Sequence, residues 1–205
     1  MGIEVGIVSM SFSTKKIYYF ESPGQDNTED SIRMAVERAN ENGINTLVVA
    51  STTGKTALAC LNAIKGTNIH LIVVTHVVGF QKPGVWEFDP DVAEKIRAFG
   101  GMVVTGTHVL SGLERAFSAS PKVGGGSRSE AVSEALRRVV AVGLKVAVEC
   151  VLIAADQGAL PIDKEVIAIG GTALGADTVC VIRPSNTSRF FDLQVREIVA
   201  MPRNR

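Results

Sequence analysis

One short run of the chain carries the residue types that bind phosphate, and it lies between an apolar segment and an amphipathic one. The run is Ser51-Thr52-Thr53-Gly54-Lys55-Thr56. A phosphate dianion needs free N–H donors, the positive end of a helix dipole and a cation, so the run predicts a phosphate-binding loop at a helix N-terminus. An ordinary helix start capped by Ser or Thr is equally consistent with these residues. A Walker A loop would need glycine at position 49, where this chain has Val49, so ATP hydrolysis is not favoured.

Other polar residues follow other predicted strands. Ligands of open α/β sheets bind outside the carboxyl ends of the strands, so we expect these residues to line the same small-molecule site. They are Thr75, His76, Gly79, Thr105, Thr107, Gly170, Gly171 and Thr172. The segment Gly170–Thr172 is equally consistent with a tight turn between two strands. Trp86, in a stretch rich in Gly and Pro, could cover a bound ring or pack over the edge of the sheet.

Three side chains are candidates for acid–base chemistry. His76 and His108 each end a predicted strand and could donate hydrogen bonds or exchange protons. Asp156 is expected to end the strand that begins near Val146. Glu149 interrupts the same apolar stretch, and a buried carboxylate needs a cation, so pairing with Lys145 or an arginine is favoured over catalysis.

Composition excludes several functions. The chain has 21 basic and 21 acidic residues, so no net field favours a nucleic acid or an acidic membrane surface. Metal-ligand spacings such as HxxxH and the GxSxG and GxGxxG motifs are absent, so neither a metal site nor those enzyme classes is predicted. Cys60, Cys150 and Cys180 form no CxxC pair and are expected to be buried hydrophobes in a reducing, cytoplasmic protein.

Helical and extended patterns alternate along most of the chain. Strands are predicted at 17–20, 47–50, 69–75, 102–105, 146–153, 166–169 and 178–182. Helices are predicted at 28–42, 56–65 and 91–99, and S-x-x-E capping boxes predict further helix starts at Ser111 and Ser127. Near-continuous Val, Ile and Leu runs indicate strands covered on both faces. The fold class is therefore α/β, with a mostly parallel sheet between two helical layers.

The chain is expected to fold as one domain. Its 205 residues suffice for a single core. The pattern begins after Lys15, so residues 1–15 are interpreted as an N-terminal extension and 16–205 as the domain. No basic region precedes the first apolar stretch, and we do not expect a signal peptide. Met10 is an alternative start to Met1.

The phosphate-loop segment also resembles a known one. Residues 47–57, LVVASTTGKTA, resemble the strand and loop of the pyruvate kinase C-terminal domain, an apolar strand followed by Thr-x-Ser-Gly-Arg-Thr-Ala. That loop holds a phosphate of an allosteric sugar phosphate. Carried over by position, the resemblance implies that Ser51 and Thr53 supply hydroxyls and that Gly54 makes the turn. Lys55 replaces the arginine, which keeps the charge but loses the bidentate geometry.

From about Lys16 to Arg203 the chain is similar to a family of standalone, mainly archaeal proteins that share this domain. The shared runs are LSGLERA at 110–116, GLKVAVE at 143–149, ADQGALP at 155–161 and GGTALGAD at 170–177. The resemblance implies a mixed five-stranded sheet and FMN as the ligand. The chain has no room for the catalytic barrel of pyruvate kinase, so transfer of phosphate from phosphoenolpyruvate is not expected.

Three functions therefore compete at the loop that begins at Ser51. The first is binding of a phosphorylated small molecule, with FMN the leading ligand. The second is a flavin-dependent oxidoreductase that uses His76, His108 or Asp156 near the ring. The third is a regulatory homo-oligomer that binds a sugar phosphate.

Overall fold

The computed structural model describes residues 12–204, and Met10 lies outside them. The strands are β1 (Tyr18–Phe20), β2 (Thr46–Ala50), β3 (His70–Thr75), β4 (Met102–Thr105), β5 (Val166–Gly170), β6 (Thr178–Arg183) and β7 (Gln194–Pro202). The helices are α1 (Thr28–Asn42), α2 (Lys55–Ala63), α3 (Pro90–Ala98), α4 (Gly112–Ala119), α5 (Arg128–Ala135) and α6 (Val142–Asp156). A π-helical turn, Leu136–Val140, continues α5.

The strands of residues 12–204 form one mixed sheet in the order β1-β7-β6-β5-β2-β3-β4. The pairs β5–β2, β2–β3, β3–β4 and β1–β7 are parallel, whereas β6 pairs antiparallel with β5 and with β7. The predicted fold class is confirmed. The sheet has seven strands, so the five implied by the resemblance is too few.

Two hydrophobic cores cover the two faces of the sheet. Along β2, Leu47 and Val49 belong to the core that α1, α2 and α3 complete, while Val48 belongs to the core built with α6. All three side chains are fully buried. Successive residues of a strand point to opposite faces, so a central strand between two helical layers must be apolar throughout.

The strand predicted at 146–153 is wrong, because these residues lie in the middle of α6. The helix is buried between the sheet and the segment that precedes it, so it is apolar on nearly every side. A short apolar run without periodicity fits a buried helix as well as a buried strand. In α6, Lys145 and Glu149 lie one helical turn apart and form an ion pair.

Strand β7 was not predicted. Its first half is polar and exposed, and only its second half is buried. Its register against β6 also shifts between Val179 and Cys180 and again between Val181 and Ile182. These irregularities interrupt the alternation by which a strand is found in a sequence.

Both predicted helix starts near a serine are confirmed, but only one of the two serines caps its helix. Ser127 Oγ accepts the N–H of Glu130 at 3.1 Å. Ser111 makes no side-chain cap bond before α4, and the Glu114 carboxylate instead accepts the N–H of Ser129 at 3.2 Å. Glu114 therefore ties α4 to the start of α5, which a local capping box does not predict.

Two further observations concern the cysteines and the possibility of membrane-spanning helices. All three cysteines are free and buried, as predicted, and burial raises the pKa of Cys60 and of Cys180 to about 12. Among residues 12–204, every helix is too short or too polar to cross a membrane.

Candidate functional site

The loop between β2 and α2 is held from the inside by Ser51. This side chain is 7% exposed, and its hydroxyl accepts the N–H groups of Gly54 at 3.2 Å and Ala57 at 3.3 Å. The Ser51 N–H donates to the carbonyl of Val74 on β3 at 3.0 Å. Gly54 has φ of +100°, a conformation that L side chains rarely adopt. Ser51 therefore fixes the turn as a helix cap does.

The outer side of the same loop is open. Within residues 12–204, the N–H groups of Lys55 and Thr56, the first two of α2, have no acceptor. Thr53 and Lys55 are exposed, and the Lys55 ammonium forms no ion pair with any residue the structure describes. N–H groups without an acceptor, the positive end of the helix and an exposed cation thus lie together, which suits an anion.

A chain of polar contacts runs from this loop into the segment that follows β3. Thr52 Oγ1 lies 3.4 Å from His76 Nε2, and His76 Nδ1 lies 2.9 Å from Glu87 Oε2. The side chains of His76 and Glu87 are 31% and 13% exposed. Because a carboxylate only accepts, the Nδ1–H donates to Glu87, and in the neutral imidazole this leaves Nε2 as the acceptor for the Thr52 hydroxyl. A carboxylate, an imidazole and a hydroxyl are thereby aligned.

Aromatic rings surround His76. The ring of Phe80 lies 4.0 Å from that of His76 and stacks on His108 with a centroid distance of 5.0 Å and an interplanar angle of 20°. Burial lowers the pKa of His108. The neighbouring Glu149 carboxylate opposes this shift, while His76 adds to it. Burial therefore favours the neutral form of the His108 imidazole.

Hydroxyls at the ends of β3 and β4 fix the segment around His76. Thr75 Oγ1 lies 2.8 Å from Thr105 Oγ1, and the indole N–H of Trp86 donates to Thr75 Oγ1 at 3.2 Å. The N–H of Asp89 also donates to the carbonyl of Thr53 at 3.2 Å. Residues 77–89 are therefore attached both to the strand ends and to the loop at residues 51–56.

Gly79 and Thr107 contribute to the shape of this end of the sheet. Gly79 has φ of +85° and its N–H donates to the carbonyl of Val85 at 2.9 Å, so it closes a turn within residues 77–89. Thr107 is exposed, and its methyl group lies beside Gly112 at the start of α4.

The segment Gly170–Thr172 is filled by protein groups. A Cβ at Gly170 would overlap the carbonyl oxygen of Gly143 on α6, and one at Gly171 would overlap the carbonyl oxygen of Gly175. The N–H of Thr172 donates to Asp177 Oδ2 at 3.0 Å. This geometry is that of a tight turn between β5 and β6, packed against the N-terminal end of α6.

Asp156 does not end a strand, since it lies at the end of α6. Its carboxylate accepts the hydroxyl of Thr187 at 2.5 Å, the N–H of Thr187 at 3.0 Å and the side-chain N–H of Asn186 at 3.2 Å. Partial burial raises the pKa of Asp156, but these bonds outweigh burial and the net shift is downward. Asp156 thus anchors residues 186–187.

Glu149 has the structural partner that the sequence favoured. Its carboxylate forms a buried ion pair with Lys145 and accepts the N–H of Leu110 at 2.9 Å. It therefore holds the segment after β4, which carries His108, against α6.

Sequence reasoning missed Glu87 and Phe80. Glu87 lies eleven positions after His76, in a segment without regular structure, so no helix or strand spacing links the two. Glu87 directly precedes Phe88, which is 1% exposed and anchors the segment in the core. This position is the signal by which Glu87 could have been found.

The fold and the loop define an α/β domain with an open helix N-terminus beside an imidazole cluster. The family model described as pyruvate kinase, alpha/beta domain, matches residues 29–182. The chain belongs to this family.

Solved structures that the chain matches include a pyruvate kinase from Cryptosporidium parvum, with 14% identity over 75% of this chain and 22% of that chain, and a TM-score of 0.38. Another is the Cryptosporidium parvum pyruvate kinase in complex with ADP, with 16% identity over 77% of this chain and 23% of that chain, and a TM-score of 0.38. The chain spans less than a quarter of the length of either enzyme.

Proposed function

We propose that the chain binds a phosphorylated small molecule, with FMN the leading ligand, and that the phosphate lies on the Ser51–Thr56 loop. The observation that carries this proposal is the open start of α2. There the N–H groups of Lys55 and Thr56 lack acceptors within residues 12–204, beside an exposed ammonium. Ser51 holds the turn from the buried side, so the donors are preorganised and binding need not order the loop.

The surroundings of the loop support a ligand that carries an aromatic ring. His76 contacts both Thr52 of the loop and the ring of Phe80, which is 41% exposed and stacks on His108. Exposed aromatic surface beside an anion site suits a planar group attached to a phosphate. FMN has both parts, whereas a sugar phosphate lacks the planar aromatic group.

The first test is the visible absorption spectrum of the untagged protein as purified, with mass spectrometry of what denaturation releases. We expect flavin absorbance and released FMN, or uptake of added FMN by protein isolated without it. A colourless protein that does not take up FMN, but binds fructose bisphosphate saturably, would replace FMN with a sugar phosphate. Failure to bind either compound would contradict the proposal.

A flavin-dependent oxidoreductase is the second candidate, because two imidazoles lie beside the loop. His76 and His108 have ring centroids 5.4 Å apart. Asp156 is not included, since its carboxylate is occupied by Thr187 and Asn186. Reduction of bound FMN by NADH and its reoxidation by an added acceptor would establish this activity. A bound flavin that NADH leaves oxidised would favour the binding function alone.

We also propose that the protein acts as a homo-oligomer in the cytoplasm. The free edge of β4 supports self-association, since Met102 on it is 46% exposed. The three free, buried cysteines suit a reducing compartment. Light scattering of the purified chain would show a mass above one 21.7 kDa protomer.

A further inference from the structure

The contacts among Thr52, His76 and Glu87 have the order of a nucleophile, its base and the group that orients the base. Thr52 Oγ1 is 3.4 Å from His76 Nε2, and Glu87 Oε2 is 2.9 Å from His76 Nδ1. The three residues come from three segments: the turn after β2, the end of β3 and residues 77–89. Such convergence places the hydroxyl within reach of an imidazole whose free nitrogen faces it.

The position of Thr52 in the turn decides which electrophile it would meet. It is half-buried and lies three and four residues before Lys55 and Thr56, whose N–H groups lack an acceptor among the described residues. A phosphoryl group bound by these donors would lie at the same turn as the Thr52 hydroxyl, so its phosphorus is the electrophile that this hydroxyl would meet. Preorganised N–H donors and a lysine stabilise the charge that spreads over those oxygens during transfer.

The ring of His76 is fixed for this role by more than one contact. Phe80 packs against it at 4.0 Å, and His108 lies 5.4 Å away. Glu87 is mostly buried and accepts from Nδ1, so it stabilises the imidazolium that forms when Nε2 takes a proton.

We propose that Thr52 is a phosphoryl-accepting nucleophile, with His76 as its general base and Glu87 as a positioning residue. The donor is a phosphate whose leaving oxygen belongs to a phenol or a carboxylic acid. The Thr52 hydroxyl gives its proton to His76 Nε2, and a bond forms between Thr52 Oγ1 and phosphorus. The bond from phosphorus to the leaving oxygen breaks, and that oxygen departs with the electron pair as a phenolate or carboxylate. Phosphothreonine remains in the loop.

This inference rests on the proposed function, since it requires a phosphoryl group on the same loop. It also goes beyond that function, because binding alone needs neither a base nor a nucleophile. FMN is the phosphate of an aliphatic alcohol, a poor leaving group, so it would occupy the loop without transferring its phosphoryl group.

The test uses p-nitrophenyl phosphate as the donor and the full chain as the acceptor. We expect a burst of p-nitrophenolate, a mass increase of one phosphoryl group and fragmentation spectra that place it on Thr52. Binding of inorganic phosphate, measured separately by calorimetry, reports whether the loop holds the anion.

Variants separate the three roles. T52V and H76N should each lower the labelling rate by about a hundredfold or more, while inorganic phosphate still binds. H70N is the matched control, since His70 is exposed at the opposite end of β3 and should label at the wild-type rate. E87Q should give a loss of intermediate size. It should also redistribute the proton between the two ring nitrogens of His76, which ¹⁵N chemical shifts report.

The outcomes are distinct. Labelling of Thr52 that depends on His76 supports the inference. Phosphate that binds the loop without labelling Thr52, or labelling that H76N leaves unchanged, overturns it and leaves the proposed function standing. Failure of inorganic phosphate to bind overturns both.

Discussion

Two glycine-containing segments end neighbouring parallel strands, and they differ in whether their N–H groups are free. The Ser51–Thr56 loop follows β2, and the turn that begins at Gly170 follows β5, with Val49 paired to Ile169 just before them. In the loop, the N–H groups of Lys55 and Thr56 lack acceptors among the described residues. In the turn, the N–H of Thr172 already donates to the carboxylate of the buried Asp177.

The glycines of the two segments serve different purposes. Gly54 supplies a positive φ and lets α2 begin immediately after the turn. Gly170 and Gly171 instead allow backbone to lie directly on backbone, at Gly143 and Gly175. A glycine near the end of a strand therefore indicates a ligand site only where the space beside it has not been filled by another part of the chain.

The largest expected effect is in the filled turn. Asp177 is fully buried, and its Oδ2 accepts the N–H groups of Gly24 and Thr172, each at 3.0 Å. Asp177→Ala leaves both N–H donors unpaired, together with the Thr178 hydroxyl that donates to Oδ1 at 2.8 Å. Since each unpaired N–H costs roughly 1–3 kcal/mol, the free energy of unfolding should fall by about 2–6 kcal/mol. Urea denaturation measures this loss. Asp177→Asn keeps an acceptor oxygen and should lose about half as much or less, on the same principle; equal losses would mean that the charge, not the acceptor, matters.

The open loop should show the opposite behaviour, a large effect on binding and a small one on stability. Lys55→Ala should weaken FMN by about ten- to a hundredfold, because it removes one charge-assisted contact to the phosphate of roughly 1.5–3 kcal/mol while the backbone N–H donors remain. Binding of riboflavin, which lacks the phosphate, should not change. Lys65→Ala, at an exposed lysine after the other end of α2, is the matched control. Equal loss of both flavins with a large fall in Tm would favour a simple helix cap.

Ser51 belongs to the open loop, but its side chain is buried, so we expect its replacement to lower stability, as in the filled turn. Ser51→Ala leaves the N–H groups of Gly54 and Ala57 without their acceptor. The free energy of unfolding should fall by about 0.5–2 kcal/mol, as for other helix caps. Thr53→Ala, at an exposed hydroxyl of the same loop, should change it by less than about 0.5 kcal/mol. Thermal unfolding of the two variants side by side tests whether only the inward hydroxyl carries stability.

The smallest effect concerns His108, beside the open loop. Burial holds its pKa below the ordinary 6.5, with contributions downward from His76, Lys145 and Arg115 and upward from Glu149. Below that value the unfolded chain binds the proton more readily, so stability should be lost as pH falls from 6.5 toward the folded pKa. His108→Asn should remove this part of the loss. Urea denaturation at pH about 7.5 and about 5.5 measures the loss of unfolding free energy in the wild type and in the variant. An equal loss in the two proteins would contradict the assignment.

Much of the fold could be predicted because its signals are local. The helix at Thr28–Asn42 was found with both ends, since its apolar stripe repeats at helical spacing and Gly43 ends it with φ of +65°. The run of Leu47 to Ala50 was identified as a buried strand from its composition. The same reasoning failed for residues 146–153, where a fully buried helix has no polar face to reveal its period.

The candidate site was predictable only in part, for a related reason. The loop lies within six consecutive residues, so its hydroxyls, glycine and lysine are visible together in the sequence. Asp156 was singled out on the strand assignment that proved wrong, and its carboxylate anchors residues 186–187 instead. Glu87 was not singled out, although it is the side chain that orients His76.

The sequence by itself therefore determined the layers of the domain, the class of the sheet and the position of the polar, glycine-containing turn before α2. These follow from periodicity and local hydrogen bonding, which act over a few residues. Only the tertiary structure decided which turn stays open and which groups meet beside it. Asp177 reaches Gly24 across 153 positions, and Glu87 reaches His76 because residues 77–89 fold back onto the strand ends. Contacts of this kind depend on how distant segments pack, and no spacing in the sequence encodes them.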